Sequence, residues 1–262
     1  MKFMFKSLIL AGSILASWQT IAGDLLQWQN NSLTYLYGNS FTINPSIQQT
    51  LTLFEHVDAW QYGDNFLFID HVLYNGKGDN SLGSNTYYGE FTPRLSFSKI
   101  FNKKISFGLI QDVLLAMTYE FGKDNHTTYL VGPGFDLNVP GFDYFQLNFY
   151  QRHPTGDRPG DHVWQITPVW AYTMPIGNSD VLIDGYIDWE VNNDKNQRGT
   201  HHANLHFNPQ IKYDLGRALH WDAKHLYVGF EYDFWKNKYG IDDNGTIKTN
   251  QNTTNFLVKY HF

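Results

Sequence analysis

Tyrosine and ionisable side chains recur at every second position in several segments of this sequence. Between Tyr87 and Phe97, for example, Tyr88, Glu90 and Arg94 alternate with apolar residues. Successive side chains of a strand point to opposite faces, so these three residues share one face. Tyrosine rings stack on flat ring systems, and charged and amide groups hydrogen-bond molecules rich in hydroxyls. The pattern predicts a surface of weak, reversible binding sites.

The candidate binding residues on such polar faces are Tyr88, Glu90, Arg94, Tyr144, Asn148, Tyr150, Arg152, Asp184, Tyr186, Asp188, Glu190, His202, His206, Lys212 and Tyr227. A second interpretation stays open for each of them. Opposite charges such as Glu90 and Arg94, four positions apart on one strand, could instead form an ion-pair network that only holds shape. The sequence does not choose between solute contact and structural support for a single residue.

No sequence motif indicates a metal site, a cofactor or a catalytic centre. His202 and His206 on one strand would lie about 13 Å apart, at roughly 3.3 Å per residue, which is too far to share an ion. The run Asp242-Asp243-Asn244-Gly245 lacks the spacing and the terminal Glu of a calcium loop. The G-x-S-x-G motif of α/β-hydrolases is absent. We therefore expect no cofactor and no enzyme activity, although a triad assembled in space stays open.

The sequence divides into about twelve strand-like segments separated by turn-rich stretches. The clearest segments are 87–97, 144–152, 181–191, 202–215, 226–234 and 254–262, and the less regular ones are 33–41, 50–60, 65–74, 109–121, 127–137 and 163–174. Phe54-Glu55-His56 and Ile69-Asp70-His71 break the alternation, so a β-bulge there would change which side chains point inward. The predicted fold class is all-β.

Composition limits the classes of function. The 262 residues carry a formal net charge of −6 and no basic stripe, which argues against nucleic-acid binding. There is no cysteine, so an exported chain of this size must be held by its own strands. Aromatic residues make up 17% of the chain, a high share that favours strands and the aromatic girdles of membrane barrels.

Both ends of the sequence indicate export to a bacterial outer membrane. Lys2 and Lys6 precede the apolar run Leu8 to Ala16, which is too short to span a membrane and resembles a cleaved signal peptide over residues 1–23. The final strand carries Phe256 and Phe262 on one apolar face. We expect residues 24–262 to form a twelve-stranded antiparallel up-and-down β-barrel surrounded by membrane lipid and lipopolysaccharide. A soluble barrel or sandwich shows the same alternation with its faces inverted.

The links between segments alternate in character. With the first strand starting in the periplasm, the periplasmic links are 61–64, 99–105, 138–143, 175–180 and 216–225. The external links are then 42–49, 75–86, 122–126, 153–162, 192–201 and 236–252. The external set includes the longest stretches and those richest in Gly, Asp and Asn, as expected for outer-membrane barrels.

Three stretches in this order resemble the Tsx-like family of nucleoside-specific outer-membrane channels, especially its OmpK branch. They are Glu90-Phe91-Thr92-Pro93-Arg94-Leu95-Ser96 with the following Ile105-Ser106-Phe107-Gly108, then Gly185-Tyr186-Ile187-Asp188-Trp189, and Lys238-Tyr239-Gly240-Ile241-Asp242 with the closing Tyr260-His261-Phe262. The resemblance implies a narrow monomeric barrel that passes nucleosides. It also implies that the external loops serve as a phage receptor in the OmpK branch.

The predicted interior contains more acidic than basic residues, which disfavours anionic solutes. That balance fits a channel for neutral nucleosides, and it equally fits a general diffusion pore with weak selectivity for cations. A third possibility is a surface protein that acts as phage receptor or adhesin through its external loops, with a closed lumen. The sequence predicts passive transport of small hydrophilic solutes, with nucleosides first among them.

Overall fold

A computed structural model describes residues 25–43, 47–74 and 84–262. The expected signal peptide, residues 1–23, lies outside the described residues, as do parts of two predicted external links. Within the described residues, no helix is long and apolar enough to cross a membrane.

Twelve strands of the described chain form one closed antiparallel barrel, which confirms the predicted fold class and strand number. They are β1 (Leu26–Asn39), β2 (Ile47–Trp60), β3 (Gly63–Tyr74), β4 (Asn85–Ser96), β5 (Ile110–Gly122), β6 (Thr128–Leu137), β7 (Tyr144–Pro154), β8 (Val163–Ile176), β9 (Ser179–Glu190), β12 (Asn204–Asp214), β13 (Leu226–Lys236) and β14 (Gln251–His261). Two short strands, β10 (Asp194–Asn196) and β11 (Gly199–His201), form a separate hairpin.

The barrel closes where β1 pairs with β14, from Ser32 opposite His261 to Gly38 opposite Asn255. Because every strand is antiparallel to its neighbours, the start of β1 and the end of β14 lie at the same end. We assign this end to the periplasm, since outer-membrane barrels keep their longer loops outside. Two of its links begin with a single helical turn, Phe97–Ile100 and Leu215–Ala218.

Alternate side chains of each strand face outward or into the barrel interior. On β14, Phe256 and Tyr260 are 45% and 49% exposed, while Leu257 and Lys259 between them are buried. Polar residues such as Ser32 and Asn255 are buried on the inner face. Apolar side chains therefore cover the outside and polar ones fill the inside, the arrangement that a surrounding bilayer requires.

The broken alternation at Phe54-Glu55-His56, in the predicted segment 50–60, has a structural cause. One extra residue near Leu53 interrupts the pairing of β2 with both β1 and β3. This β-bulge turns Glu55 inward and places Phe54 and His56 on the outer face. Strand β3 is regular, since its pairing with β4 is uninterrupted from Gly63 to Leu73.

Candidate functional site

The inner faces of the strands meet in a narrow lumen, and most predicted binding residues line it. Strand alternation places the following on inner faces: Tyr88, Glu90 and Arg94 on β4; Tyr144, Asn148, Tyr150 and Arg152 on β7; Asp184, Tyr186, Asp188 and Glu190 on β9; His206 and Lys212 on β12; and Tyr227 on β13. Among the described residues, no group of three or more potential ligands could hold a metal ion.

His202 is the exception. The prediction that it shares a strand face with His206 is wrong, because β12 begins only at Asn204. The β10–β11 hairpin precedes it, and His201 rather than His202 reaches the interior. The imidazole Nε2 of His201 contacts the carboxylate of Glu190, and both side chains are buried.

Arg94 joins three strands through two carboxylates. Its guanidinium donates two hydrogen bonds to Asp64, at 2.8 and 2.7 Å, and a third to Asp136 at 2.9 Å. The bidentate contact with Asp64 fixes the orientation of the guanidinium. The network therefore braces β3, β4 and β6 from within.

Arg152 forms a second and more deeply buried network near the external end. It donates to Glu120 at 2.8 Å and to Gln165 at 2.5 Å, and its Nε lies 3.4 Å from Glu190. The side chains of Arg152, Glu120 and Glu190 are 7%, 7% and 10% exposed. One guanidinium thus balances two buried carboxylates.

Two lysines are paired in the same way on the other side of the lumen. Lys212 donates to Asp184 at 2.6 Å and to Gln210 at 2.9 Å, and Lys259 donates to Glu55 at 2.5 Å. The exposed fractions of these four interior cations are 3% for Arg94, 6% for Arg152, 1% for Lys212 and 7% for Lys259. These four positive charges are therefore buried and paired inside the barrel.

Several interior acids have no cationic partner among the described residues. Asp70 accepts from Thr52, Glu90 from Tyr88, and Asp188 from Gln165 and Thr167, at 2.6 to 2.7 Å. Glu231 accepts from Gln210 and Asn255. Except for Glu231, these carboxylates belong to partly exposed residues. The wall that a solute meets is therefore polar and acidic.

One aromatic group, formed by Phe66, Phe68 and Tyr88, lines the lumen on β3 and β4. The ring centroids of Phe66 and Phe68 are 5.7 Å apart, and those of Phe68 and Tyr88 are 5.9 Å apart. All three residues are partly exposed. We call these residues the β3–β4 aromatic group.

A second aromatic group, formed by Tyr186, His206 and Trp235, lies on β9, β12 and β13. The imidazole of His206 stacks on Trp235 at 3.8 Å between centroids, and Tyr186 meets the imidazole edge-on at 5.2 Å. The Nε2 atom of His206 lies 3.0 Å from the carboxylate Oδ1 of Asp233, within hydrogen-bond distance. We call Tyr186, His206 and Trp235 the Trp235 group.

The two aromatic groups face each other. In the order of strands around the barrel, β3 and β4 lie on the side opposite β9, β12 and β13. Glu90, beside the first group, lies within electrostatic range of Asp188 and of Tyr186. A flat solute passing between the walls would meet rings and carboxylates from both sides.

The other predicted residues occupy different positions. Tyr150 is 3% exposed and packs with Ala116 and Leu130, so its ring supports the wall. Asn148 is also buried, and Tyr227 is buried beside His261. Tyr144, in contrast, is 45% exposed near the periplasmic end.

External loops converge on His201. A Cβ added to Gly240 would lie 2.4 Å from the imidazole, and one added to Gly160 would lie 2.9 Å from the His201 Cβ. The N–H of His202 donates to the carbonyl of Gly240 at 2.9 Å. The loops 155–162, 191–203 and 237–250 thus meet above the lumen and narrow its outer mouth.

Replacing Gly240 with alanine should therefore loosen this outer closure. The substitution adds a clash with His201 to the strain of a residue at φ +73°, a combination that we expect to cost about 1–3 kcal/mol. We expect a larger single-channel conductance and faster proteolysis of the external loops. Gly245→Ala is the matched control, because Gly245 has φ +81° with no atom within 4 Å of an added Cβ. Equal behaviour of the two variants would contradict the role given to His201.

The loop 237–250 is held by the carboxylate of Asp243. The pKa of Asp243 lies below its ordinary value of 3.8, because the N–H groups of Asn250 and Thr249 donate to the carboxylate at 2.9 and 3.0 Å. A lowered pKa in the folded state means that the ionised form stabilises the loop above pH 3.8, and that this contribution disappears as the pH falls through the lower value.

We expect the hydrogen-exchange protection of the Thr249 and Asn250 amides to fall with acidification below pH 3.8. In Asp243→Asn the protection of these amides should be lower at neutral pH and should change little on acidification. Protection in the unmodified protein that does not change across the acid range would show that the carboxylate does not hold the loop.

Some lumen residues were missed by sequence reasoning. Phe66, Phe68 and Asp70 lie on β3, where the irregular sequence pattern did not decide which side chains point inward. Trp235 lies one position beyond the predicted segment 226–234. The acids Asp64, Glu120 and Asp136 were also missed, because Asp64 fell in the predicted link 61–64 and the other two in the less regular segments 109–121 and 127–137. Extending the alternation of 226–234 by one residue would have found Trp235.

Comparison with known proteins identifies relatives of the whole barrel. The family model described as nucleoside-specific channel-forming protein, Tsx, matches residues 24–262. An outer membrane protein OmpK of Vibrio parahaemolyticus serotype O3:K6 is 24% identical over 214 residues, which cover 78% of this chain and 75% of the relative. A second Vibrio parahaemolyticus OmpK is 24% identical over 196 residues, 73% of this chain and 69% of that protein.

Solved structures show more distant similarity. A KdgM porin aligns with a TM-score of 0.49 and 12% identity, over 88% of this chain and 99% of that one. Outer membrane phospholipase A from Escherichia coli aligns with a TM-score of 0.45 and 10% identity, over 90% of this chain and 98% of the enzyme.

Proposed function

The chain belongs to the Tsx family of nucleoside-specific channel-forming proteins, and we propose that its barrel carries nucleosides passively across the outer membrane. The general conclusion follows from the family: the protein is an outer-membrane channel and not an enzyme. The proposal concerns the solute and the residues that bind it. It includes a signal peptide that is cleaved near residue 23 and a monomeric state, in which a single chain closes the wall between β1 and β14.

The observation that carries the proposal is the pair of aromatic groups on opposite walls. A nucleoside has one flat base and one sugar rich in hydroxyls. The base can stack on rings of the β3–β4 aromatic group or the Trp235 group, and Glu90 and Asp188 can accept hydrogen bonds from sugar hydroxyls or exocyclic amines. Both recognition elements therefore occur at one level of the lumen.

The charges around these groups favour neutral solutes over anions. The buried cations Arg94, Arg152, Lys212, Lys259 and Lys238 are at most 7% exposed, and Lys238 donates to Gln251 at 2.7 Å. Asp70, Glu90 and Asp188, in contrast, belong to the partly exposed wall. A phosphate that enters the lumen would lose water and meet carboxylates without a free cation to replace the water. The same lumen should therefore pass a nucleoside and exclude the corresponding nucleotide.

Transport needs several weak sites, because a solute that binds tightly cannot leave. Tyr144, exposed near the periplasmic end, provides an aromatic surface away from the two groups. We propose that a nucleoside moves down its gradient by exchanging between the two facing groups and then Tyr144.

Uptake by vesicles tests the proposed selectivity. We expect vesicles that contain the refolded barrel to take up labelled adenosine faster than labelled AMP and faster than a neutral disaccharide. The double variant Glu90→Gln, Asp188→Asn should narrow the difference between adenosine and AMP. Equal entry of adenosine and the disaccharide would instead favour a general pore.

A second function, as a receptor or adhesin, is favoured by the external loop 237–250. This loop is fixed by Asp243 and exposes Tyr239, Ile241 and Ile247 at 44%, 38% and 51%. A rigid exposed apolar surface is suited to binding a partner such as a phage. Replacing residues 241–248 with a Gly-Ser linker should abolish attachment and leave solute uptake in place, and unchanged attachment would reject this loop as the receptor surface.

A further inference from the structure

The periplasmic link between β4 and β5 combines exposed apolar residues with lysines. Residues 97–109 contain three lysines and no Asp or Glu. Phe101, Phe107 and Leu109 are 66%, 61% and 62% exposed. Apolar side chains exposed to this degree and gathered in one link indicate an interaction surface.

Two of the lysines in this link are free to bind another molecule. Lys103 and Lys104 are exposed, and their ammonium groups form no hydrogen bond or ion pair with the described residues. Lys99 differs, because its ammonium group donates to the carbonyls of Trp60 and Gly63 at 2.9 and 3.0 Å. The free positive charge is therefore concentrated at positions 103 and 104.

The link is an ordered part of the barrel rim. The hydroxyl of Ser96 accepts from the N–H of Lys99, and the hydroxyl of Ser98 accepts from the N–H of Ile105, both at 3.0 Å. Since Ser96 is the last residue of β4, the link begins where the strand leaves the wall. Its side chains are thus held near the level of the membrane surface.

The opposite side of the barrel carries a similar link. Residues 215–225, between β12 and β13, expose Trp221 at 64% and Leu219 at 47%, with Lys224 also exposed. In the order of strands, the β4–β5 and β12–β13 links are on opposite sides of the periplasmic rim. Aromatic residues with nearby cations at two places on one rim are typical of contact with a bilayer surface.

We propose that the link 97–109 binds anionic phospholipid at the periplasmic membrane surface. Phe101, Phe107 and Leu109 insert among the acyl chains, while Lys103 and Lys104 pair with lipid phosphates. Charge complementarity selects this partner, because the link has exposed positive charge and no carboxylate of its own. The proposal is independent of which solute crosses the lumen.

Native mass spectrometry of the full barrel in detergent tests this, with phosphatidylglycerol and phosphatidylcholine as the added lipids. We expect Lys103→Gln, Lys104→Gln to weaken phosphatidylglycerol binding by roughly 30-fold, since each lysine near an anionic surface contributes about fivefold. Phosphatidylcholine binding should change little. Phe101→Ser, Phe107→Ser should weaken the binding of both lipids.

Lys195→Gln, Lys236→Gln is the control, because it removes two exposed lysines from the external end. Heat-modifiable migration on a gel should show that all variants are folded. Unchanged phosphatidylglycerol binding after loss of Lys103 and Lys104, or an equal loss in the control, would overturn the proposal. If none of the three variants changes the binding of either lipid, the lipid site is rejected. The exposed link would then be assigned to contact with a protein partner.

Discussion

Replacing Arg152 with methionine should destabilise the barrel by about 3–5 kcal/mol, the cost of leaving buried charge without its partner. Arg152 is the only cation within 3.5 Å of Glu120 or Glu190 among the Lys and Arg side chains that the structure describes. Without it, two carboxylates that are at most 10% exposed would repel each other near the outer mouth. Urea unfolding in phospholipid vesicles measures the change in free energy.

Arg158 provides the matched control for this prediction. Its guanidinium lies 3.9 Å from the same Glu120, but its side chain is 25% exposed. Arg158→Met should therefore cost less than about 1 kcal/mol, as partly exposed ion pairs usually do. Adding Glu120→Gln to Arg152→Met should recover part of the lost stability, because it removes one of the unpaired charges. Equal losses for Arg152→Met and Arg158→Met would show that the buried network does not support the fold.

Replacing Tyr186 with alanine should weaken nucleoside binding by about 1–3 kcal/mol, which is roughly 5-fold to 150-fold in Kd. Tyr186 is partly exposed, and its ring meets His206 edge-on while the imidazole stacks on Trp235. Its loss removes one stacking surface and frees the imidazole. Titration of conductance block with adenosine measures the affinity of the unmodified and altered channels.

Tyr150→Ala and Tyr172→Ala separate binding from folding in this test. Tyr150 is packed against Ala116 and Leu130, so its truncation should lower stability by about 3 kcal/mol through a cavity and leave affinity nearly unchanged. Tyr172 contacts Phe142 on the outer wall and should affect neither affinity nor selectivity. Equal loss of affinity in Tyr150→Ala and Tyr186→Ala would contradict the assignment of the Trp235 group as a binding surface.

The wall of the barrel could be predicted from the sequence because its signal is local. Inward and outward side chains alternate with a period of two. The positions of Tyr88 and Phe91 in the segment therefore predict opposite faces without knowledge of any partner strand. The twelve predicted segments match the twelve strands because each carries this alternation or is bounded by turns. Where the structure describes the links, they lie between the predicted segments, with bounds that differ by a few residues.

The contents of the lumen could not be predicted to the same depth, because they depend on pairing between distant strands. Arg94 meets Asp136 from two strands away, and Lys259 meets Glu55 across the closing seam. The bulge near Leu53 decides that Glu55 rather than His56 points inward. The hairpin before β12 likewise brings His201 inward in place of His202. In each case a long-range register decides between neighbours that look equivalent in the sequence.

The predicted tyrosines illustrate the difference between facing inward and being accessible. Tyr150 and Tyr186 both point inward, as the alternation indicates. The small residues Ala116, Gly132 and Gly134 on the neighbouring strands leave space beside β7, and Tyr150 is buried there. Tyr186 has His206 as its ring neighbour, and the residue stays partly exposed. Only packing across strands distinguishes a supporting ring from a binding ring.

The most direct test of the central proposal is the single-channel conductance of the refolded protein in a planar bilayer, titrated with adenosine, thymidine and a neutral sugar of similar size. We expect a small conductance that both nucleosides reduce with saturation, that the sugar does not reduce, and that requires more adenosine to block in Tyr186→Ala. A conductance that responds alike to all three solutes, or none at all from a barrel shown to be folded, would contradict a nucleoside-binding lumen.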